Sequence, residues 1–172
     1  MLAVIGRIFD RLTAITATLL RLSLVAALVT MLGCIVLQVV MRYIVGRALS
    51  WSEELALLMF AWATLGGLAL GVREGFHVRL DLLLGTLAPA TRTWAERTID
   101  LATAAFGAYL AWSGVRFFEI TGGSVSAAIG YPIEFLHGLA PVTGALICLF
   151  ALQRGLRGAT EPHAVQVPDS AP

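Results

Sequence analysis

Four long stretches of the chain contain no aspartate, glutamate, lysine or arginine, and this pattern restricts the fold more than any other feature. Residues 22–41 lie between Arg21 and Arg42, 55–72 between Glu54 and Arg73, 101–115 between Asp100 and Arg116, and 135–153 between Glu134 and Arg154. At 1.5 Å per helical residue, about 20 residues cross the roughly 30 Å hydrocarbon core of a bilayer. The first, second and fourth stretches therefore read as transmembrane helices. The third reaches the required length by extension through Ile99 and the Phe117–Phe118 pair. The expectation is one all-α membrane domain over residues 1–157, an integral four-helix bundle with spans at about 22–43, 52–72, 99–118 and 133–153.

Composition agrees with that count. Charged residues make up 13% of the 172, against roughly 25% in soluble domains. Pumps, proton relays and ion carriers keep an acid, a base or a charge pair at mid-depth. None is present in these spans, which argues that the chemistry lies in another subunit and that this chain is not an enzyme. A self-contained small exporter is disfavoured for the same reason.

All twelve cationic side chains are arginine. Arg7, Arg11, Arg21, Arg73, Arg79, Arg92, Arg97, Arg154 and Arg157 fall on one side of the membrane, and only Arg42, Arg47 and Arg116 on the other. Nine against three in short loops places both termini in the cytoplasm under the positive-inside rule. Cys34 and Cys148 lie inside spans without neighbouring histidines and read as small packing residues, so no metal or cofactor is expected.

Before the first span, Ile5, Ile8, Phe9, Leu12, Ile15 and Leu19 recur at helical spacing. This predicts a short amphipathic helix lying on the cytoplasmic leaflet before the chain turns into the membrane. Three further spans argue against a cleaved secretion signal. Residues 158–172 are rich in proline, alanine and polar residues and read as a disordered cytoplasmic tail.

The loops carry the functional information. In the first outer hairpin, Ser50 and Glu53 have the spacing of a capping box at the start of span two. Arg42 lies at nearly the same depth as Glu53 and Glu54 and could pair with either, and Tyr43 and Trp51 suit the interfacial aromatic belt. The hairpin is either a structural clamp or a docking surface for a partner outside the membrane. In span two, Ala63, Gly67 and Gly71 recur every four residues, with Gly66 alongside and Trp62 just before Ala63. Such a strip admits close approach of a helix, from this bundle or from another protein. His77, Arg79 and Asp81 belong to a stretch with the pattern of a second interfacial amphipathic helix, on the cytoplasmic side, which Pro89 ends or bends. The outer loop between spans three and four is rich in glycine and serine and predicts a flexible segment. Pro141, early in span four, predicts a kink. Arg42–Tyr43 leading to Trp51 and Glu54 has a faint echo in Arg116–Phe117 leading to Tyr131 and Glu134.

Taken in order, residues 38–43, the Trp51–Ser52–Glu53–Glu54 entry, Trp62, Gly66–Gly67, the run from His77 to Leu83, the Leu87–Ala88–Pro89 break, Gly130–Tyr131–Pro132 and Pro141 form a set. Over about residues 20–155 it resembles the small membrane (Q-type) subunit of tripartite ATP-independent periplasmic (TRAP) transporters. One departure is Ile133–Glu134, where the family often has an aromatic residue. The resemblance implies a scaffold subunit in the bacterial inner membrane, embedded in lipid, that supports a large multi-span transport subunit. That large subunit would hold the sodium and organic-acid sites and would be supplied by a periplasmic substrate-binding protein. On this reading Arg42, Tyr43, Trp51, Glu53 and Glu54 present a docking hairpin. Trp62, Gly66, Gly67 and Gly71 serve helix packing or the large-subunit interface, and His77, Arg79 and Asp81 anchor the cytoplasmic loop. No role with nucleic acid follows. The competing class is a haem-bearing membrane anchor of a respiratory complex. It would need axial ligands within the bundle, whereas His77 and His137 fall at opposite boundaries.

Overall fold

The computed structural model describes residues 2–75 and 89–157. Helix α1 runs Leu2–Val40 and continues directly into a π-helical turn, Met41–Val45. Helix α2 is Ser50–Glu74, α3 is Pro89–Thr121, α4 is the short Glu134–His137 and α5 is Leu139–Arg157. Three segments are long and apolar enough to cross a membrane: Phe9–Val45, Ser50–Glu74 and Glu134–Leu156. The protein is an all-α membrane bundle, as its apolar stretches require. Helix α3, at 33 residues, is about 50 Å long and runs beside α5.

The structure corrects the reading of the N-terminus. No turn separates a surface helix from span one; α1 is a single helix of 39 residues. Between Gly6 and Gly33 there is neither glycine nor proline to break it. The charge of Arg21, which marked the expected boundary, is instead neutralised by an ion pair with Glu74 of α2. The predicted cytoplasmic-loop helix with His77, Arg79 and Asp81 lies outside the described residues, as does the tail from 158 onward. Pro89 is the first residue of α3, where its missing N–H breaks no intrahelical bond. The expected kink in span four is present as an interruption at Gly138, between α4 and α5. Pro141 cannot donate to the His137 carbonyl, so the helical ladder is broken there.

The helices pack as an opened-out row. Helix α1 lies along α2, α2 along α5, and α5 along α3, leaving α1 and α3 at the two ends. The core joins Ala17, Leu20 and Leu24 of α1 to Ala69 and Val72 of α2, with Ala104 of α3 and Ile147, Phe150 and Ala151 of α5. This core lies toward the arginine-rich end, where a set of polar contacts closes the bundle. Gln153 Nε2 donates to Asp10 Oδ1 at 3.1 Å, and Arg154 Nε pairs with Asp100 Oδ1 at 2.8 Å. The Arg73 guanidinium lies 5.8 Å from the centre of the Phe150 ring.

The Arg154–Asp100 pair makes an asymmetric prediction. Asp100 is buried, 8% exposed, so Arg154→Ala removes the cation from a carboxylate with little access to water and is expected to cost about 2 kcal/mol. That is below the roughly 3–5 kcal/mol of fully buried pairs because the arginine retains partial solvent contact. Asp100→Asn leaves a flexible cation that can reach the interface and costs less. Thermal unfolding of the two variants in detergent checks the order; equal losses would contradict it.

The closest helix contact is one that the sequence reading did not single out. Along the α3–α5 seam, a Cβ on Gly107 would lie 2.6 Å from the Cys148 backbone nitrogen, and one on Gly114 would lie 2.7 Å from Pro141 Cδ. On the predicted α2 strip, Gly66 faces Leu20 and Leu24 inside the bundle, while Gly67 meets nothing within 4 Å. Gly107 and Ala111 in α3, and Gly144 and Cys148 in α5, have the four-residue spacing of small residues that could have flagged the seam.

Candidate functional site

The end of the bundle opposite the arginine-rich face holds the outer-hairpin residues that the sequence picked out, Arg42, Tyr43, Trp51, Glu53 and Glu54. Helix α1 closes with Gly46 in the left-handed region, φ 73°, its N–H bonded to the Met41 carbonyl. Only glycine adopts that conformation without strain, which explains why the π-helical turn stops there. Three residues later, Leu49 is the N-cap of α2, with no side chain capping the helix. The expected Ser50–Glu53 capping box therefore does not form. Ser50 is already the first helical residue, one position too late to be the cap. Ser52, completely buried, instead donates its hydroxyl to the Leu49 carbonyl at 2.8 Å.

Glu54 does not pair with Arg42. Its carboxylate crosses to the loop between α3 and α4, where it accepts the Ser126 hydroxyl, the Ala128 N–H at 2.8 Å and the Ile129 N–H at 3.1 Å. Three donors converge on this carboxylate, and Arg42 is left exposed, without an ion pair among the described residues. Glu53, one residue earlier and about 100° around the helix, stays exposed.

The loop between α3 and α4 carries its own backbone hydrogen bonds. Ser126 N–H donates to the Tyr131 carbonyl at 2.8 Å and Ile133 N–H to the Ser124 carbonyl at 3.0 Å, folding residues 124–133 back on themselves. Glu134, at the start of α4, accepts the Gly123 N–H at 2.7 Å. Two glutamates from different helices thus hold the backbone of one loop.

His137 completes the junction. Its Nδ1 lies 2.8 Å from the Thr121 hydroxyl, which already donates to the Phe117 carbonyl at 2.8 Å. The ring is also packed edge-on to Phe117, with centroids 4.6 Å apart.

Beside Glu54 runs an apolar groove of about 600 Å³, lined by Met31 and Ile35 of α1 and by Ala56, Leu57 and Phe60 of α2. Glu53 and Ala128 also line it. At the same end of the bundle, Tyr43 is 80% exposed and Trp51 42%. Trp62 and Gly66 belong elsewhere, inside the bundle: Trp62 Nε1 donates to the Ser23 hydroxyl at 3.2 Å.

Residues 31–161 match the family described as tripartite ATP-independent periplasmic transporters, DctQ component. The chain belongs to this TRAP transporter family. It is 32% identical to the C4-dicarboxylate TRAP transporter small permease protein DctQ of Rhodobacter capsulatus over 111 residues, 63% of this chain and 48% of that protein. It is 24% identical to the sialic acid TRAP transporter permease protein SiaT of Haemophilus influenzae over 125 residues, 73% of this chain and 20% of that protein. A short match, 40% identical over 52 residues, links it to DctQ of Vibrio cholerae, covering 30% of this chain and 22% of that protein. The chain therefore spans less than half the length of each of these relatives. The matched segment of this TRAP small-permease chain includes both glutamates, the loop they hold, and His137.

Proposed function

We propose that this chain is the scaffold subunit of a sodium-coupled TRAP transporter for an organic acid, in the bacterial inner membrane with both termini cytoplasmic. On this reading α3 is the fourth span, and a large permease subunit carries the substrate and sodium sites. The hairpin end faces the periplasm, where Arg42, Tyr43, Trp51 and Glu53 form the surface on which a substrate-binding protein docks. The observation that carries the reading is the Glu54 clamp. It ties the start of α2 to the loop between α3 and α4, as a docking surface built from both outer connections requires. The names of the relatives support a transport role, and in SiaT the matching segment is only a fifth of a much longer permease. That proportion fits a small unit working beside a larger one.

The test is co-purification from the native host in mild detergent, followed by reconstitution into vesicles. A stoichiometric larger permease should accompany the chain. Together with a soluble binding protein, the pair should take up an organic acid only under an inward sodium gradient. Recovery of the chain alone, or transport by the chain alone, would sink the proposal.

A further inference from the structure

The groove that α1 and α2 leave between them at the hairpin end has a definite length and a definite polarity. On α2 its lining includes Ser50, Glu53, Leu57 and Phe60, residues spaced by three or four and therefore on one face of the helix. Met31 and Ile35 line it from α1. Both helices lie within segments long and apolar enough to cross a membrane. From position 50 to position 60 the lining descends ten residues along α2, about 15 Å. Past Phe60 the two helices are in direct contact. Trp62 Nε1 donates to the Ser23 hydroxyl at 3.2 Å, and a Cβ on Gly66 would lie 2.8 Å from Leu24 Cδ2. The groove thus ends about halfway through the roughly 30 Å hydrocarbon core.

This length decides what fills it. A partner's transmembrane helix crosses the whole core and needs a face that continues through both leaflets. An acyl chain belongs to one leaflet and ends near the midplane. Met31, Ile35, Leu57 and Phe60 give such a chain apolar contact and demand no hydrogen bond from it. The polar end of the groove selects the headgroup. Glu54 is engaged by Ser126, Ala128 and Ile129, whereas Glu53 is exposed and makes no ion pair among the described residues. A carboxylate there attracts an ammonium and repels a headgroup of net negative charge.

We propose that the groove holds one acyl chain of a phospholipid from the hairpin-side leaflet, with the primary ammonium of its headgroup paired to Glu53. The lipid is of the phosphatidylethanolamine type. Its headgroup lies within the outer surface on which docking is proposed, next to the start of α2.

The chain, extracted in mild detergent with the subunits that accompany it, is offered phosphatidylethanolamine and phosphatidylglycerol in equal amounts, and native mass spectrometry reads what is retained. Phosphatidylethanolamine is expected to be retained about threefold over phosphatidylglycerol, in the range of an exposed ion pair. Glu53→Gln should abolish the preference while leaving the total lipid bound unchanged. Ala56→Trp, which places an indole in the groove, should lower the retention of both lipids. Equal retention of the two lipids by the unaltered chain overturns the proposal, as does a preference that survives Glu53→Gln. If Ala56→Trp does not fold, the Glu53→Gln comparison decides alone. A photo-crosslinking residue at Leu57 in native membranes is expected to capture lipid, and capture of a larger permease subunit there overturns the assignment of the groove. None of these outcomes alters the scaffold role, which co-purification tests separately.

Discussion

Gly144→Leu is expected to prevent α3 and α5 from packing and to cost about 3 kcal/mol or more, at or beyond the upper end of overpacking substitutions. A Cβ on Gly144 would land on the Ala111 backbone nitrogen and lie 2.7 Å from the Gly107 carbonyl oxygen. Both are helix backbone atoms, so no rotamer change relieves the overlap and the helices must separate. Separation breaks up the seam that continues through Gly107 against Cys148 and through Gly114 against Pro141. Gly67→Leu is the matched control. Its side chain enters open space, and replacing a mid-helix glycine favours the helix by up to about 1 kcal/mol. Thermal aggregation in detergent, followed by size-exclusion chromatography, should show a large loss for Gly144→Leu and none for Gly67→Leu. Equal behaviour of the two variants would mean that the α3–α5 seam does not hold the bundle together.

Glu54→Ala is expected to release the loop over residues 124–131 while leaving the helices intact. The substitution removes the acceptor for two backbone N–H groups and the Ser126 hydroxyl together. The hydrogen bonds within the loop and the single contact from Glu134 remain. The amide of Ala128 should then exchange with solvent like that of a loop without partners, and that of Ile129, which keeps only a 3.4 Å contact to the Ser126 hydroxyl, should exchange faster, whereas the core amides of α5 stay protected. Arg42→Ala should leave the exchange of this loop unchanged, because Arg42 takes no part in the clamp. If the clamp serves docking, Glu54→Ala also lowers uptake in the reconstituted complex without lowering recovery of the subunits. Unchanged exchange at Ala128 and Ile129 would refute the clamp itself.

The outline of the fold was legible because membrane burial is written directly into composition. A bilayer accepts uncharged helical stretches of a certain length, and residues 22–41, 55–72 and 135–153 satisfy that condition whatever their neighbours are. The break at Pro141 was legible for a similar reason, since a missing N–H acts locally, whereas Pro89, read as the end of the preceding cytoplasmic-loop helix, is instead the first residue of α3. The Ser50–Glu53 motif misled because a capping box depends on which residue is the cap. A helix start displaced by one residue is invisible to spacing alone.

Pairing was beyond the reach of the sequence. Arg42 with Glu54 was a reasonable guess from depth and proximity along the chain, yet Glu54 binds residues more than seventy positions away. A carboxylate satisfies itself with whichever donors the fold brings within reach, and three converging donors outweigh one exposed arginine. The glycine strip had the same difficulty. Gly66, Gly67, Gly107 and Gly144 are alike as residues, and only the positions of the neighbouring helices separate a tight seam from open space. By itself, the sequence determined that this chain is a helical membrane protein and in which order its spans come, because solvation by lipid acts on each segment independently. Which helices touch, which acid holds which loop and where two helices leave a groove were decided only in the tertiary structure, because those outcomes depend on distances between residues far apart in the chain.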